Sequence, residues 1–339
     1  MKDLFTAAEH FRYFTEFCAN VQALGGATPH LTMVGESCRQ RPLEEILWRG
    51  GCYATMYNYA AAEAIWSQWQ PESILFRAAA FQNWTQQHWK GLPLRKERKA
   101  VNNPKRLAEC VISFCQWLDN YAEFENQILH IDNPRDRYER AWQLFDAAVR
   151  YMGRYIMIRF FEYLKRYANF PLLMPDIRPV GGPFPRQALA LMYPGWSTEL
   201  LGNDRMDNCQ MANRAANDCI ARLADSGVQM DHYTLQSLLC EYKQSALGGR
   251  QYPGRSVDSE LAYMARAGAY WGTDFGRKSE IWVTRRRIFP ACVLGEIQGW
   301  AGPRAVLGMV LRNYRYTWTD VVYDYVRTQD FSQPARRAS

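Results

Sequence analysis

The sequence predicts a mainly α, multi-helix globular protein, and three observations lead there. Apolar residues recur every three to four positions through most segments lying between prolines and glycines, as amphipathic helices require. No run alternates cleanly over six positions; residues 279–293, SEIWVTRRRIFPACV, come nearest to a strand. A chain of 339 residues, 48% hydrophobic and 22% charged, can bury a substantial core. One helical domain is expected over residues 1–330, with a subdivision allowed near 170–185 and a disordered tail at 331–339.

From Leu4 to Gln22 large apolar residues repeat at helical spacing, and Gly25-Gly26 ends the helix. Residues 27–40 read as loop. Pro42 then opens a helix into Leu47–Trp69, LWRGGCYATMYNYAAAEAIWSQW, with a break allowed at Gly50 and Gly51. In projection Trp48, Cys52, Thr55, Met56, Tyr59, Glu63 and Trp66 share one side, and Gly50, Ala54, Asn58, Ala61 and Ile65 another. Both sides are fit to be packed, so this stretch belongs in the middle of the protein. Arg49, Asn58 and Glu63 are costly to bury alone and call for a polar network or a ligand.

Pro71 starts the next helix, ending near Trp89. Residues 90–106 follow with Lys90, Arg95, Lys96, Arg98, Lys99, Lys105 and Arg106 against Glu97, a composition suited to a phosphate backbone or to a solvated loop. Pro104 leads into a helix through Glu125. Pro134 begins another that continues to Tyr167, with Arg137, Arg140, Arg150 and Arg154 on its polar side. Five prolines and two glycines make residues 169–187 a loop that presents Asp176, Arg178 and Arg186. After a further loop from Tyr193 to Asn203, helices are expected over Asp207–Asp225, ended by Gly227, and over Asp231–Leu247, capped by Asp231. From Val257 onward helices are interrupted by Gly272, Gly276, Pro290 and residues 299–303.

The formal net charge of +7 permits an anionic partner, and 14% aromatic residues exceed the usual share. No apolar run reaches about 18 residues, and charged residues occupy the place of a signal peptide's apolar segment, so a cytoplasmic protein without a membrane span is expected. Nine scattered cysteines without a C-x-x-C pair read as reduced, mostly buried thiols. The five histidines lie far apart, with no H-E-x-x-H, and no metal site is expected. No G-x-S-x-G occurs. Residues 249–256 match a phosphate-binding loop except that Arg255 replaces Lys, but a helical segment precedes them where a strand is required; an anion site at Arg250 and Arg255 stays open. Glu241 and Lys243, near the middle of one helix, suit a surface pair or a base and a phosphate clamp.

Three runs in this order, LWRGGCYATMYNYAAAEAIWSQW, PDIRPVGGPFPRQALALMYPGW and LQSLLCEYKQ, resemble the bacteriophage α-glutamyl/putrescinyl thymine pyrophosphorylases. These are amino acid:DNA transferases of thymine hypermodification, and they look related to the helical domain of 5-hydroxymethyluracil DNA kinases. The resemblance spans most of residues 40–250. It implies a helical scaffold compatible with a DNA-glycosylase-like architecture and a functional link to a 5-hydroxymethyluracil DNA kinase. It also implies a reaction in which the amine of an amino acid or polyamine displaces pyrophosphate from 5-pyrophosphoryloxymethyluracil in DNA. In that chemistry Glu63 or Glu241 is the candidate base, and Arg49, Arg178, Arg186 and Lys243 would stabilise the leaving group, with Mg²⁺ able to share the task. Trp48, Tyr53 or Tyr57 would stack on an extruded base, Asn58 would read its amide edge, and Asp176 would contact substrate. Arg95, Lys96, Arg98, Lys99, Lys105, Arg106, Arg285, Arg286 and Arg287 would hold the DNA backbone. A non-catalytic helical DNA-binding protein and a base-excising glycosylase stand as alternatives.

Overall fold

The computed structural model describes residues 6–20, 29–94, 96–177, 183–202 and 206–246, together with Thr284 and Arg287. Helices carry most of these residues and no strand occurs among them, so the mainly α expectation holds. The stretch 279–293 that comes nearest to a strand, the helices after Val257, the 249–256 loop and the tail lie outside the described residues, apart from positions 284 and 287. Contacts divide the chain into two compact units, with a changeover between Pro175 and Asp176.

Residues 30–175 belong to one unit. The first helix of the chain, α1, spans Ala7–Asn20 and belongs to the other; α2 spans Pro29–Cys38, where loop was expected. Its apolar residues explain the difference: Leu31, Val34 and Cys38 recur at helical spacing and are buried, and Gly35 lets the Tyr167 ring lie against the backbone. The next helix, α3 (Leu43–Met56), runs straight through Gly50 and Gly51. These glycines do not break it. A Cβ on Gly50 would overlap the Tyr163 ring, and one on Gly51 the Phe114 ring, so both serve close packing.

The break falls instead at Tyr57, in the left-handed region at φ 53°, and Asn58, in the extended region at φ −154°. Asn58 Oδ1 accepts hydrogen bonds from the backbone N–H of Ala60 (3.0 Å) and Ala61 (3.3 Å), which caps α4 (Tyr59–Trp66). The projected faces of the central stretch therefore do not continue across this corner.

Three further helices read as continuous are also divided. The first becomes α5 (Pro71–Phe76) and α6 (Ala78–His88), separated by Arg77, whose guanidinium lies 5.5 Å from the centre of the Trp69 ring. The second becomes α7 (Pro104–Asp119) and α8 (Tyr121–Leu129), and the bend at Asn120 brings Tyr121 and Phe124 edge-on to Trp117. The third becomes α9 (Pro134–Ala148) and α10 (Arg154–Tyr167). Between them Val149 and Met152 are both buried, Tyr151 takes φ 60°, and Arg150 N donates to Ser113 Oγ at 2.9 Å. In a regular helix the Arg150 N–H would bond the Asp146 carbonyl instead, and Tyr151 would not take a positive φ.

The core of this unit is aromatic. Trp117 meets Phe124, Phe145 and Phe160 edge-on at ring separations between 5.0 and 5.7 Å. Phe114 joins that cluster to α3 through Trp48.

In the other unit α11 (Pro183–Met192), α12 (Ser197–Leu200), α13 (Met206–Asp225) and α14 (His232–Ala246) pack with α1. Here α12 and the first half of α11 occupy positions expected as loop; Pro183 and Pro185 sit at the α11 start, where a missing N–H is harmless. Asp231 Oδ1 accepts from Thr234 N at 2.8 Å, the expected cap, and Gly227 takes φ 83° after α13. Tyr242 on α14 donates to Ala7 O at 2.8 Å and presents its ring to Phe11 on α1.

Candidate functional site

In the 30–175 unit α4 folds back along α3, bringing Trp66 under Arg49 and Tyr59 against Tyr53. Every residue of α4 is buried except Glu63, which is half-buried and lies between these two contacts. A carboxylate at the one opening of a helix otherwise sealed in the core marks the candidate site.

Arg49 extends from α3 with its side chain 13% exposed and its guanidinium 5.4 Å from the centre of the Trp66 ring. Its Nε and Nη2 donate to Glu45 Oε1 at 3.1 and 2.9 Å, and Arg41 Nη1 donates to the same oxygen at 2.6 Å. Burial pulls the Glu45 carboxyl upward, but the hydrogen bonds from Arg41 and Arg49 outweigh it and leave the pKa below the ordinary value. Two guanidiniums on one carboxylate carry a formal surplus of one positive charge, a setting that favours an anion. Beside them Tyr163 OH donates to Ile46 O at 2.9 Å and stands 3.3 Å from Cys38 Sγ, whose pKa burial raises.

Where α3 ends, Tyr53, Tyr57 and Tyr59 gather, with Tyr57 OH 3.2 Å from Tyr155 OH. Tyr155 covers Arg159, whose Nη1 pairs with Glu162 Oε2 at 2.9 Å; both side chains are 1% exposed. Glu162 Oε1 also meets Arg166 Nη2 at 3.1 Å. A buried carboxylate between two guanidiniums is held in one geometry, since removing either partner leaves an uncompensated charge.

The expected site residues are distributed unevenly. Arg49 reaches the Trp66 ring, three residues beyond Glu63 on α4. Trp48 is buried against Phe114, Tyr53 is sealed in the core, and Asn58 is the α4 cap, so these three sit in the interior rather than on an open face. Tyr57 is buried as well, but its hydroxyl reaches the half-exposed Tyr155. Asp176, Arg186 and Lys243 belong to the other unit: Asp176 is buried, Arg186 Nη1 donates to Gly202 O at 3.2 Å, and Lys243 Nζ lies 4.4 Å over the Phe184 ring. Arg178 and the side chain of Glu241 lie outside the described residues.

Of the expected backbone-binding cations, Lys99, Lys105, Arg106 and Arg287 are exposed. Arg98 is the correction. It is 3% exposed, its Nε donates to Thr55 O at 2.8 Å, and its Nη2 reaches Cys110 Sγ at 3.6 Å. The chain kinks at Arg98 within a 3-10 turn, Lys96–Val101, and this turns the guanidinium inward to hold the end of α3. Arg95, Arg285, Arg286 and the side chain of Lys96 lie outside the described residues.

Sequence reasoning missed Glu45, Arg41, Tyr155, Arg159 and Glu162. A signal for the last two was available: along α10 they fall among Ile156, Phe160 and Tyr163, where only a mutual pair makes burial tolerable. Among the described residues no cluster of His, Cys, Asp and Glu could hold a metal ion, and no helix is long and apolar enough to cross a membrane. The described cysteines are free thiols.

A family model described as amino acid:DNA transferase matches residues 51–249 of the chain. No curated protein and no solved structure matches it.

Proposed function

The chain belongs to the amino acid:DNA transferase family, and from that premise we propose that it joins an amine donor to 5-pyrophosphoryloxymethyluracil in DNA. The donor is an amino acid or a polyamine, such as glycine, glutamate or putrescine. The observation that carries the site assignment is Glu63, the one half-buried residue of an otherwise buried helix that also presents Trp66 to the Arg49 guanidinium.

An amine must lose its proton to become a nucleophile, and Glu63 is the group that takes it. The nitrogen then bonds to the 5-methylene carbon as the carbon–oxygen bond to pyrophosphate breaks, and the bonding pair leaves with the pyrophosphate. Arg49 and Arg41, which share Glu45, supply the positive field into which that anion departs. Glu45 keeps both guanidiniums fixed and takes no proton, because its pKa is held down. Arg159 and Glu162 hold Tyr155 and the α4 entrance in place and touch no reacting atom.

The test uses the purified full chain, DNA carrying 5-pyrophosphoryloxymethyluracil, and a mixture of amino acids and putrescine. After digestion to nucleosides, mass spectrometry should find thymidine plus one amine less two hydrogens, with pyrophosphate released. Unchanged DNA across all amines would overturn the transfer reaction; base loss instead of transfer would favour a glycosylase.

A further inference from the structure

The turn between α9 and α10 and the start of α10 hold two tyrosines outward, Tyr151 and Tyr155, among cations. Tyr151 and Tyr155 are each 37% exposed. Neither ring is loosely placed. The Tyr151 hydroxyl donates to Glu109 Oε2 at 2.9 Å and its ring receives the Arg106 guanidinium at 5.6 Å, while Tyr155 rests on Arg159 at 5.3 Å and meets the Tyr57 hydroxyl. Tyr151 also sits at φ 60°, a left-handed conformation that Gly or Asn adopts more readily than an aromatic residue. A turn that needed only to reverse the chain would not favour a bulky ring there. Arg106, Arg150 and Arg154 are exposed around the pair and form no ion pair with a described residue. Glu109 accepts from the Tyr151 hydroxyl.

We propose that this face seats an unpaired stretch of the DNA substrate, with bases laid on the Tyr151 and Tyr155 rings and phosphates held by Arg106, Arg150 and Arg154. The proposal rests on the DNA transferase reading and adds the surface that receives the strand. Aromatic faces bind any base through its π-face, and cations flanking them bind the backbone without reading sequence, which is the pattern of single-strand recognition. Duplex DNA hides its base faces and would meet only the cations.

Fluorescence anisotropy of a labelled single-stranded oligothymidine against the full chain, across a range of salt concentrations, tests this. Tyr151→Ala should weaken binding about tenfold, and Tyr151→Trp should retain it. Replacing Arg106, Arg150 and Arg154 together by Gln should lower the log–log salt slope by about 2, and Arg154→Gln alone by about 0.7. The single variant covers the case in which the triple variant unfolds, which thermal denaturation would reveal. Wild-type affinity and slope in Tyr151→Ala and Arg154→Gln would overturn the proposed surface while leaving the transferase reading intact. A wild-type chain that binds no DNA would bring down both.

Discussion

Two carboxylates of the 30–175 unit illustrate how surroundings assign roles. Glu45 accepts from two guanidiniums and is held below the ordinary carboxylate range despite partial burial. Because its folded pKa is depressed, its contribution to stability is present above the unfolded value of about 4.5 and is lost as pH falls through the lowered folded value. The gap in melting temperature between wild type and Glu45→Gln should therefore close in acid; with the side chain 32% exposed, the underlying contribution is below about 1 kcal/mol. Glu63 is different: it is half-buried, and the proposed reaction uses it as the base. Glu63→Gln should lower turnover roughly 10²- to 10⁴-fold with little change in melting temperature, and a variant of normal activity would remove Glu63 as the base. Arg98 behaves in the opposite way. Buried and bonded to Thr55 O, it should cost about 1–3 kcal/mol of stability when replaced by Leu, measured by denaturant unfolding, and leave the salt dependence of DNA binding unchanged. Nothing in KGLPLRKERKAV distinguishes this arginine from its neighbours, since only the kink decides which cation turns inward.

Helix by helix, periodicity identified where apolar faces lie and prolines identified where helices start. It did not identify where they bend. The corner at Tyr57 and Asn58, the bend at Asn120 and the turn at 149–153 each lie inside a stretch whose period continues almost unbroken; the first two close on rings of the same stretch, Tyr53 on Tyr57 and Trp117 on Tyr121, and the third is held by the distant Ser113. Asn58 links one such corner to the site, because the cap orients the helix that carries Glu63. Asn58→Ala should cost about 1 kcal/mol and Asn58→Asp much less, as unfolding in urea would report. The glycines of α3 carry the converse lesson. Read as a possible break, they are the places where Tyr163 and Phe114 touch the backbone, so Gly51→Ala should destabilise by about 1–3 kcal/mol, a larger effect than any gain in helix propensity.

At the scale of the whole molecule, the core of one unit is built from aromatic rings and thiols around α3, α7 and α10. Burial drives the Cys52 thiol well above its ordinary pKa and pushes Cys110 up to about 11, in spite of Arg98. Thiol labelling at pH 8, resolved by peptide mass spectrometry, should leave Cys52 and Cys110 unmodified until denaturant unfolds the unit; rapid labelling in the native state would contradict this packing. The helical class, the central place of Leu47–Trp69 and the family follow from the sequence alone, because period, composition and short motifs are local properties of the chain. Other features were decided by tertiary structure: which of the polar residues in that stretch stays at the surface, which arginine is buried, and that Glu45 and Arg41 flank Arg49. Burial and ion pairing depend on what the rest of the chain brings to a residue, and neither spacing nor charge along the sequence contains that information.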